Sequence, residues 1–407
     1  MNWLPTTLGS LLTLEYGKAL PRPVRDEDGS VVVAGSNGED GRHSVALITG
    51  PGIVVGRKGS AGKVTWFNQD FWPIDTTYFV RHNPEITDLR WLYYLLSFAK
   101  LDRLNKTTGV PGLNRNDAYS ERCNLPPLSE QSRIVELLDE ADRLRMLHRK
   151  ADVNAARILP TLFLKMFGDP VVNPKAWPLV CIGDLTTLVT SGSTPRGGAE
   201  VYVSEGPYII RSQNVLMNRL RLSDAARITD EMHQQMSRTW VSIGDVLLNI
   251  TGASIGRVAW VRELDAPANV NQHVCIIRPN SNLVNSAFLS ACLSLPSMQS
   301  TIDGVQIGAS RQALNHVQVR HLKIPTPPVA LQSQFALQAN TVEGLLEKGD
   351  SVSGKLNSLW VTLMTRAFSG QLTAKWREDH LMELLAEMGQ QTRLLNQPLI
   401  TEMETTE

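Results

Sequence analysis

The chain has 407 residues, 42% of them apolar and 20% charged, a balance that excludes a disordered or fibrous polymer and leaves room for two or three domains with real cores. Forty basic residues offset forty acidic ones, so no global charge draws the chain to nucleic acid, and any such binding must come from local patches or from a partner's charge. Cys123, Cys181, Cys275 and Cys292 are scattered with no C-x-x-C pair, which argues against a zinc site and predicts reduced thiols in a cytoplasmic protein.

No apolar run approaches the roughly 20 residues that span a bilayer. The opening MNWLPTTLGS lacks the basic and apolar segments of a signal peptide, so neither membrane nor export is expected. In chain order, SVALI (44–48), GIVVG (52–56) and TYFVR (77–81) read as short strands, and LRWLYYLLSFAK (89–100) as a helix. A long helix is predicted over 129–167, after Pro126-Pro127. Strands PYIIR (207–211), DVLLNI (245–250) and HVCIIR (273–278) follow, then a helix over SAFLSACLSL (286–295) and a second long helix over 330–368. The tail begins with an amphipathic helix, EDHLMELLAEMG, and ends in the polar, acidic TEMETTE.

These elements recur as a repeat. GKVTW (62–66) returns 194 residues later as GRVAW (256–260). PPLSEQS (126–132) returns as PPVALQS (327–333), Leu113-Asn114 as Leu314-Asn315 and Phe167 as Phe368, all 201 residues on. Trp3 and Gly9 match Trp177 and Gly183 at a spacing of only 174, so the second copy is longer in its early part. The expectation is an α+β chain with an internal pseudo-twofold repeat: globular parts at 1–128 and 171–328, spacer helices at 129–170 and 329–377, and a C-terminal helix and tail at 378–407. Both long helices carry a heptad pattern in one shared frame. One column is Ile134, Ala141, His148, Ala155 and Leu162; the other is Leu137, Leu144, Ala151, Ile158 and Lys165. Their counterparts are Phe335, Val342, Gly349, Leu356 and Leu363, with Gln338, Leu345, Val352, Leu359 and Arg366. Such seams predict an antiparallel coiled coil, each helix roughly 58 Å long, with Pro160 weakening the first near its end.

No catalytic constellation is read from the sequence. GRKGSAGKV (56–64) resembles a phosphate loop, but Gly56 and Gly62 are one residue too far apart, and Val64 stands where a hydroxyl should reach Mg²⁺. The second copy, NITGASIGRV (249–258), has Arg257 for the lysine. There is no H-E-x-x-H, no kinase signature and no Asn/Asp-Pro-Pro-aromatic site of an adenine methyltransferase. No catalytic residue and no metal ligand is assigned.

The sequence resembles the specificity subunit of type I restriction-modification systems over about residues 1 to 377. PGIVVGRKGSAGKV, PIDTTYFV, TTGVPGLNRND, LPPLSEQSRIVELL and LKMFGDP carry the resemblance in the first half. GPYIIRSQNV, GDVLLNITGASIGRV, SRQALN and TPPVALQSQF carry it in the second. The second half departs where Leu331 replaces the glutamate before the shared glutamine, and where FSGQL replaces the MFG ending; altered detail at the distal helix end is expected. The resemblance implies a non-catalytic subunit whose two target-recognition domains each read half of a split double-stranded DNA site. It implies two modification subunits that bring S-adenosylmethionine and methylate adenine, and two restriction subunits that bring ATP and Mg²⁺. No cofactor is expected on this chain. Expected DNA contacts are Ser36, Asn37, Arg57, Lys58, Ser60, Lys63 and Arg115 in the first domain. In the second they are Arg211, Gln213, Asn214, Thr251, Ser254, Arg257 and Arg311. Leu138, Leu159, Phe163, Met166, Leu346 and Trp360 are expected to dock partner helices. Three alternatives stay open: a specificity subunit for a fused methylase-nuclease, a phosphate-loop-like nucleotide-binding enzyme, and a coiled-coil scaffold without a DNA role.

Overall fold

The computed structural model describes residues 2–105, 111–193, 201–305 and 313–396. The chain forms two compact units, Met1–His148 with Ser353–Glu407, and Arg149–Val352. The cut falls inside both long helices, so each unit holds one globular domain and part of each helix. Six helices carry the argument: α1 (Leu89–Ala99), α2 (Leu128–Ala156), α3 (Ile158–Phe167), α4 (Ser286–Ser294), α5 (Val329–Phe368) and α6 (Leu381–Leu395).

The repeat read from sequence is a repeat of topology. In the first domain an antiparallel sheet orders its strands Leu12–Tyr16, Thr77–His82, Gly52–Gly56 and Val64–Phe67. The second domain orders Thr186–Ser191, Val274–Pro279, Val246–Asn249 and Val258–Trp260 in the same way. Each domain adds a three-stranded sheet with one parallel pair. That pair is Val31–Gly35 with Phe71–Pro73 in the first domain, and Val203–Ile210 with Ala268–Val270 in the second. The hairpin Val215–Leu216/Arg219–Leu220 and the short helix Asp230–Gln235 make up much of the second domain's extra length. SVALI is not a strand. Only Ile48 makes a bridge, to Phe71, and Val45 is exposed; the strand lies before it at Gly38–His43.

The glutamine shared by the two Pro-Pro segments proves to be a joint. Gln131 Oε1 accepts from Asp88 N at 2.7 Å, while its Nε2 donates to the carbonyls of Ile86 and Pro126 at 3.0 and 2.9 Å. Asp88 is also the N-cap of α1, accepting from Trp91 N. In the second unit Gln332 Oε1 accepts from Asn285 N, the N-cap of α4, at 2.8 Å, and its Nε2 donates to Pro327 O at 2.8 Å. Both glutamines are fully buried. Each amide therefore ties the capped start of a domain helix to the start of a long helix, and leaves no end of itself unpaired.

The Glu-to-Leu difference beside this joint also has a cause. Glu130 is fully buried and accepts from Trp3 Nε1 (2.9 Å), Thr373 Oγ1 (2.5 Å) and the Arg377 guanidinium (2.6 and 2.9 Å). Nearby, α6 sends Glu387 to the Ser129 backbone and hydroxyl and Gln391 Nε2 to Ile86 O. The carboxylate thus receives the C-terminal segment. Leu331 instead packs against the apolar core of the second unit. The alteration expected at the distal helix end is accompanied by one at the proximal end. The acidic terminus, TEMETTE, lies outside the described residues.

Burial along the helices corrects the heptad frame. The first column stands: Ile134, Ala141, His148, Ala155 and Leu162 are buried or half-buried, as are Phe335, Val342, Gly349, Leu356 and Leu363. The second column is one residue further on. Leu138, Arg145, Asp152, Leu159 and Met166 face inward, matched by Ala339, Leu346, Ser353, Trp360 and Ala367. Leu144, Ile158, Leu345, Val352 and Leu359, expected inside, are exposed. Apolar residues occupy both candidate columns, so composition chose the wrong one. The true column admits Arg145 because Trp360 covers it, with the guanidinium 4.5 Å from the ring centroid. Pro160 acts as expected: the helix breaks at Arg157, since proline cannot donate to the Ala156 carbonyl and its ring crowds it. The second copy has Val361 at that position, and α5 runs unbroken for 40 residues.

Replacing Gln131 or Gln332 with alanine strands buried backbone groups. Each change should lower the unfolding free energy of the full chain by about 1–3 kcal/mol in urea titrations. Leu144→Ala, on the exposed column, should stay within about 0.5 kcal/mol of the parent. A large loss for Leu144→Ala would restore the original frame.

Candidate nucleic-acid interface

In the first domain three loops converge at one edge of the paired sheets. The hairpin turn 56–64 is bound to the segment 111–113 through Gly59 N to Pro111 O (3.0 Å) and Leu113 N to Arg57 O (2.9 Å). Lys63 Nζ donates to Asn37 O and Oδ1 at 2.8 and 2.7 Å, which brings in the turn after Val31–Gly35. Ser36 Oγ lies 3.5 Å from where a Cβ on Gly59 would stand. Arg57 and Arg115 both place their guanidinium over the Tyr16 ring, 5.3 and 5.1 Å from its centroid. Ser36, Asn37, Arg57, Lys58, Ser60, Lys63 and Arg115 therefore belong to one cluster. Tyr16, half exposed at the end of its strand, belongs to it too, though no motif in the sequence marks it. An aromatic beside a glycine was visible in the sequence; its exposure was not.

The second domain repeats the arrangement. Gln213, Thr251, Ser254 and Arg257 line one cleft of about 490 Å³ together with Ser212 and His273. His273 bonds the Thr251 hydroxyl, and Thr251 bridges Ala313 as Lys58 bridges Gly112. His273 and Ser212 were missed because their loops meet the hairpin turn only in space. Arg211 also borders this region, its guanidinium 5.7 Å from the Tyr202 ring. Asn214 does not belong to the surface. It is fully buried, its Oδ1 accepts from Arg211 N at 3.0 Å, and its Nδ2 donates to Arg221 O at 3.2 Å. It shapes the turn from beneath. Arg311 lies outside the described residues.

Many, though not all, of the other arginines are paired with carboxylates; Arg122, Arg227, Arg238 and Arg320 also lack such a partner among the described residues. Arg22, Arg25, Arg42, Arg81, Arg90 and Arg103 each sit against a carboxylate in the first domain. Arg219, Arg221, Arg262 and Arg278 do so in the second. Among the described residues Arg57, Arg115, Arg211 and Arg257 have no carboxylate partner, so a neutral chain keeps net positive charge at these two loop clusters. Burial pushes the Tyr78 phenol, next to Tyr16, up to about 12, with the Tyr16 ring adding to the shift.

Enzymatic readings of the turns do not survive. The amides that would cradle a phosphate are already bonded: Gly56 N to Lys63 O and Gly62 N to Gly56 O, both at 2.8 Å, and Lys63 N to Ser60 O at 3.2 Å. Gly62 has φ +80°, and a Cβ there would stand 2.3 Å from Asp102 N, so its role is the turn and the close approach. The second turn, Gly252 to Gly256, also spells G-x-S-x-G, the pattern of a hydrolase nucleophile elbow. An elbow needs a strand-to-helix turn, whereas this one closes a hairpin between Val246–Asn249 and Val258–Trp260. Among the described residues no group of His, Cys, Asp and Glu could hold a metal ion, and no helix is long and apolar enough to cross a membrane.

The side chains expected to dock partners face the chain's own interior. Leu138, Leu159, Phe163, Met166 and Trp360 belong to or pack on the cores of their units, and Leu346 lines a cavity within the second unit. Phe163 lies in a cluster with Phe167, Phe288 and Phe335. Apart from Phe163 they occupy the inward column that the frame correction revealed. A docking surface has to be built from other residues.

Each copy of the duplicated domain thus carries a cationic, amide-bearing loop cluster at the turn of its antiparallel sheet. The chain belongs to the family described as type I restriction modification DNA specificity domain, which it matches over residues 1–154 and again over 174–338. It is 23% identical over 363 residues to the EcoBI specificity subunit of a type I restriction enzyme from Escherichia coli, covering 81% of this chain and 75% of that protein. A second relative, the MjaVIII specificity subunit from Methanocaldococcus jannaschii, is 20% identical over 307 residues, covering 72% of each. Among solved structures, the S subunit of a type I restriction-modification system from M. genitalium shares the fold with a TM-score of 0.64 at 16% identity, over 90% of this chain and 96% of that one.

Gln213→Ala should weaken binding to target DNA with little change in stability. Asn214→Ala should instead lower the unfolding free energy by about 1–3 kcal/mol. Equal stability losses for the two variants would overturn the assignment of Asn214 to the scaffold.

Proposed function

We propose that the chain is the non-catalytic specificity subunit of a type I restriction-modification enzyme, and that each of its two domains reads one half of a split double-stranded DNA target. The observation that carries this reading is the recurrence, on one topology, of a loop cluster with arginines left unpaired by carboxylates. Such guanidiniums suit phosphates and guanine edges, and the neighbouring Asn37 and Gln213 suit adenine. Ser36, Lys58, Ser60 and Lys63 in the first domain, and Thr251 and Ser254 in the second, complete the proposed contact surface.

The two long helices act in this proposal as an antiparallel coiled coil that sets the distance between half-sites. Within the second unit Asp152 lies opposite Gly349 and Phe163 opposite Phe335, so the chain directions there are opposed. Two methyltransferase subunits dock on the frame and supply S-adenosylmethionine for adenine methylation; two restriction subunits supply ATP- and Mg²⁺-dependent translocation and cleavage. The chain itself binds none of these cofactors. Exposed Leu144 and Leu147 on α2, Leu164 on α3, and Leu345 and Leu359 on α5 offer apolar surface for docking. The setting is the cytoplasm, which suits thiols held in the protonated form: burial pushes Cys123 and Cys275 up to about 12.

Co-expression of the chain with its methyltransferase should place adenine methylation at one two-part motif with a fixed gap, read by methylome sequencing. Random or absent methylation from a soluble complex would sink the proposal. Removing one heptad from both α2 and α5 shortens each helix by about 10 Å. That should close the gap by about three base pairs, at 3.4 Å each, and leave both half-sites unchanged; a constant gap would refute the ruler. Leu147→Glu should abolish copurification with the methyltransferase while leaving the melting temperature of the chain within about 2 °C.

A further inference from the structure

Equivalent positions in the two domains carry different chemistry. Backbone bonds identify them. Arg57 N donates to Thr76 O and Arg57 O accepts from Leu113 N; Ile250 N donates to His273 O and Ile250 O accepts from Leu314 N. Arg57 and Ile250 are therefore counterparts. Arg115 and His316 are counterparts as the first residues of helices capped by Asn114 and Asn315. Tyr16 and Ser191 end equivalent strands, paired with Tyr78 and Cys275. The first domain thus has Tyr16, Arg57 and Arg115 where the second has Ser191, Ile250 and His316.

We infer that Tyr16, Arg57 and Arg115 form a pre-ordered seat for a DNA backbone phosphate, which the described residues at the equivalent positions of the second domain, Ser191, Ile250 and His316, do not reproduce. This rests on the DNA-reading function proposed above. Arg57 is held from behind: its Nε and Nη2 both donate to Asp75 O, at 2.9 and 2.6 Å, and its guanidinium lies over the Tyr16 ring. Arg115 is held over the same ring. Arg57 and Arg115 lie 5.3 and 5.1 Å from one ring centroid without a carboxylate partner among the described residues, so an anion reaching this ring is drawn to both charges. Because ring and carbonyl already order them, little side-chain freedom is lost on binding. Backbone contacts of this kind position a protein on DNA and make its affinity salt-dependent, but carry no sequence information. The seat then adds salt-dependent, sequence-independent affinity to the first domain.

The test is a salt titration of DNA binding by the full chain copurified with its methyltransferase, on target and non-target duplexes. Arg115→Gln and Arg57→Gln should each make the slope of log affinity against log salt shallower by about one, by the same amount on both duplexes. Tyr16→Phe should keep the parental slope and Tyr16→Ala should not. His316→Gln, at the equivalent place in the second domain, should leave the slope unchanged. An unchanged slope in Arg115→Gln, with the parent complex binding DNA, would remove the seat and leave the DNA-reading function standing. A change of base preference at one position without a change of slope would make Arg115 a base reader and equally overturn the seat. A parent complex that binds neither duplex would remove the function on which the inference rests.

Discussion

One buried side-chain amide per repeat governs how this molecule presents its domains. Gln131 and Gln332 each join the capped start of a domain helix to the first turn of a long helix. The amide has two donors and an acceptor in fixed geometry, and it is surrounded by main chain that has no water to fall back on. That combination makes the junction directional as well as stable. A hydrophobic contact at the same place would hold the domain but tolerate rotation about the helix. In a DNA specificity subunit, rotation of a domain about its helix would disturb recognition as much as detachment.

The two junctions differ in what surrounds them. In the first unit Glu130, buried and bonded to Trp3, Thr373 and Arg377, fastens the C-terminal segment beside the glutamine. A buried carboxylate is costly unless every lone pair finds a donor, and here an indole, a hydroxyl and a guanidinium provide them. Beside the second joint Leu331 packs as an ordinary apolar residue. The repeat is therefore symmetric at the two glutamines and asymmetric at the residue before each of them.

Charge follows the same logic. A formal balance of forty and forty hides local imbalance: in the first domain six arginines sit against carboxylates, whereas Arg57 and Arg115 of its loop cluster have no carboxylate partner among the described residues. No composition measure separates Arg57 from Arg81, since pairing is a property of space. The same limit explains Asn214, which shares its segment with Gln213 but points into the domain. It also explains His273 and Tyr16, which enter their clusters only when distant loops meet.

Several features were determined by the sequence alone. The duplication, the matching spans of the helical segments 128–167 and 329–368, the break before Pro160 and the absence of a phosphate loop rest on order and spacing along the chain, and local rules suffice for them. The tertiary structure decided the rest. Which of two apolar columns faces inward depended on Trp360 covering Arg145, a contact between residues more than 200 positions apart. Whether an arginine is free depended on the carboxylates that folding brings to it. The turn at 56–64 shows both sides: its spacing already denied it a nucleotide, but only the fold showed its amides bonded within the turn and its arginine laid against Tyr16. Local conformation is encoded by neighbours in the chain, whereas exposure, pairing and convergence are set by residues that meet only after folding.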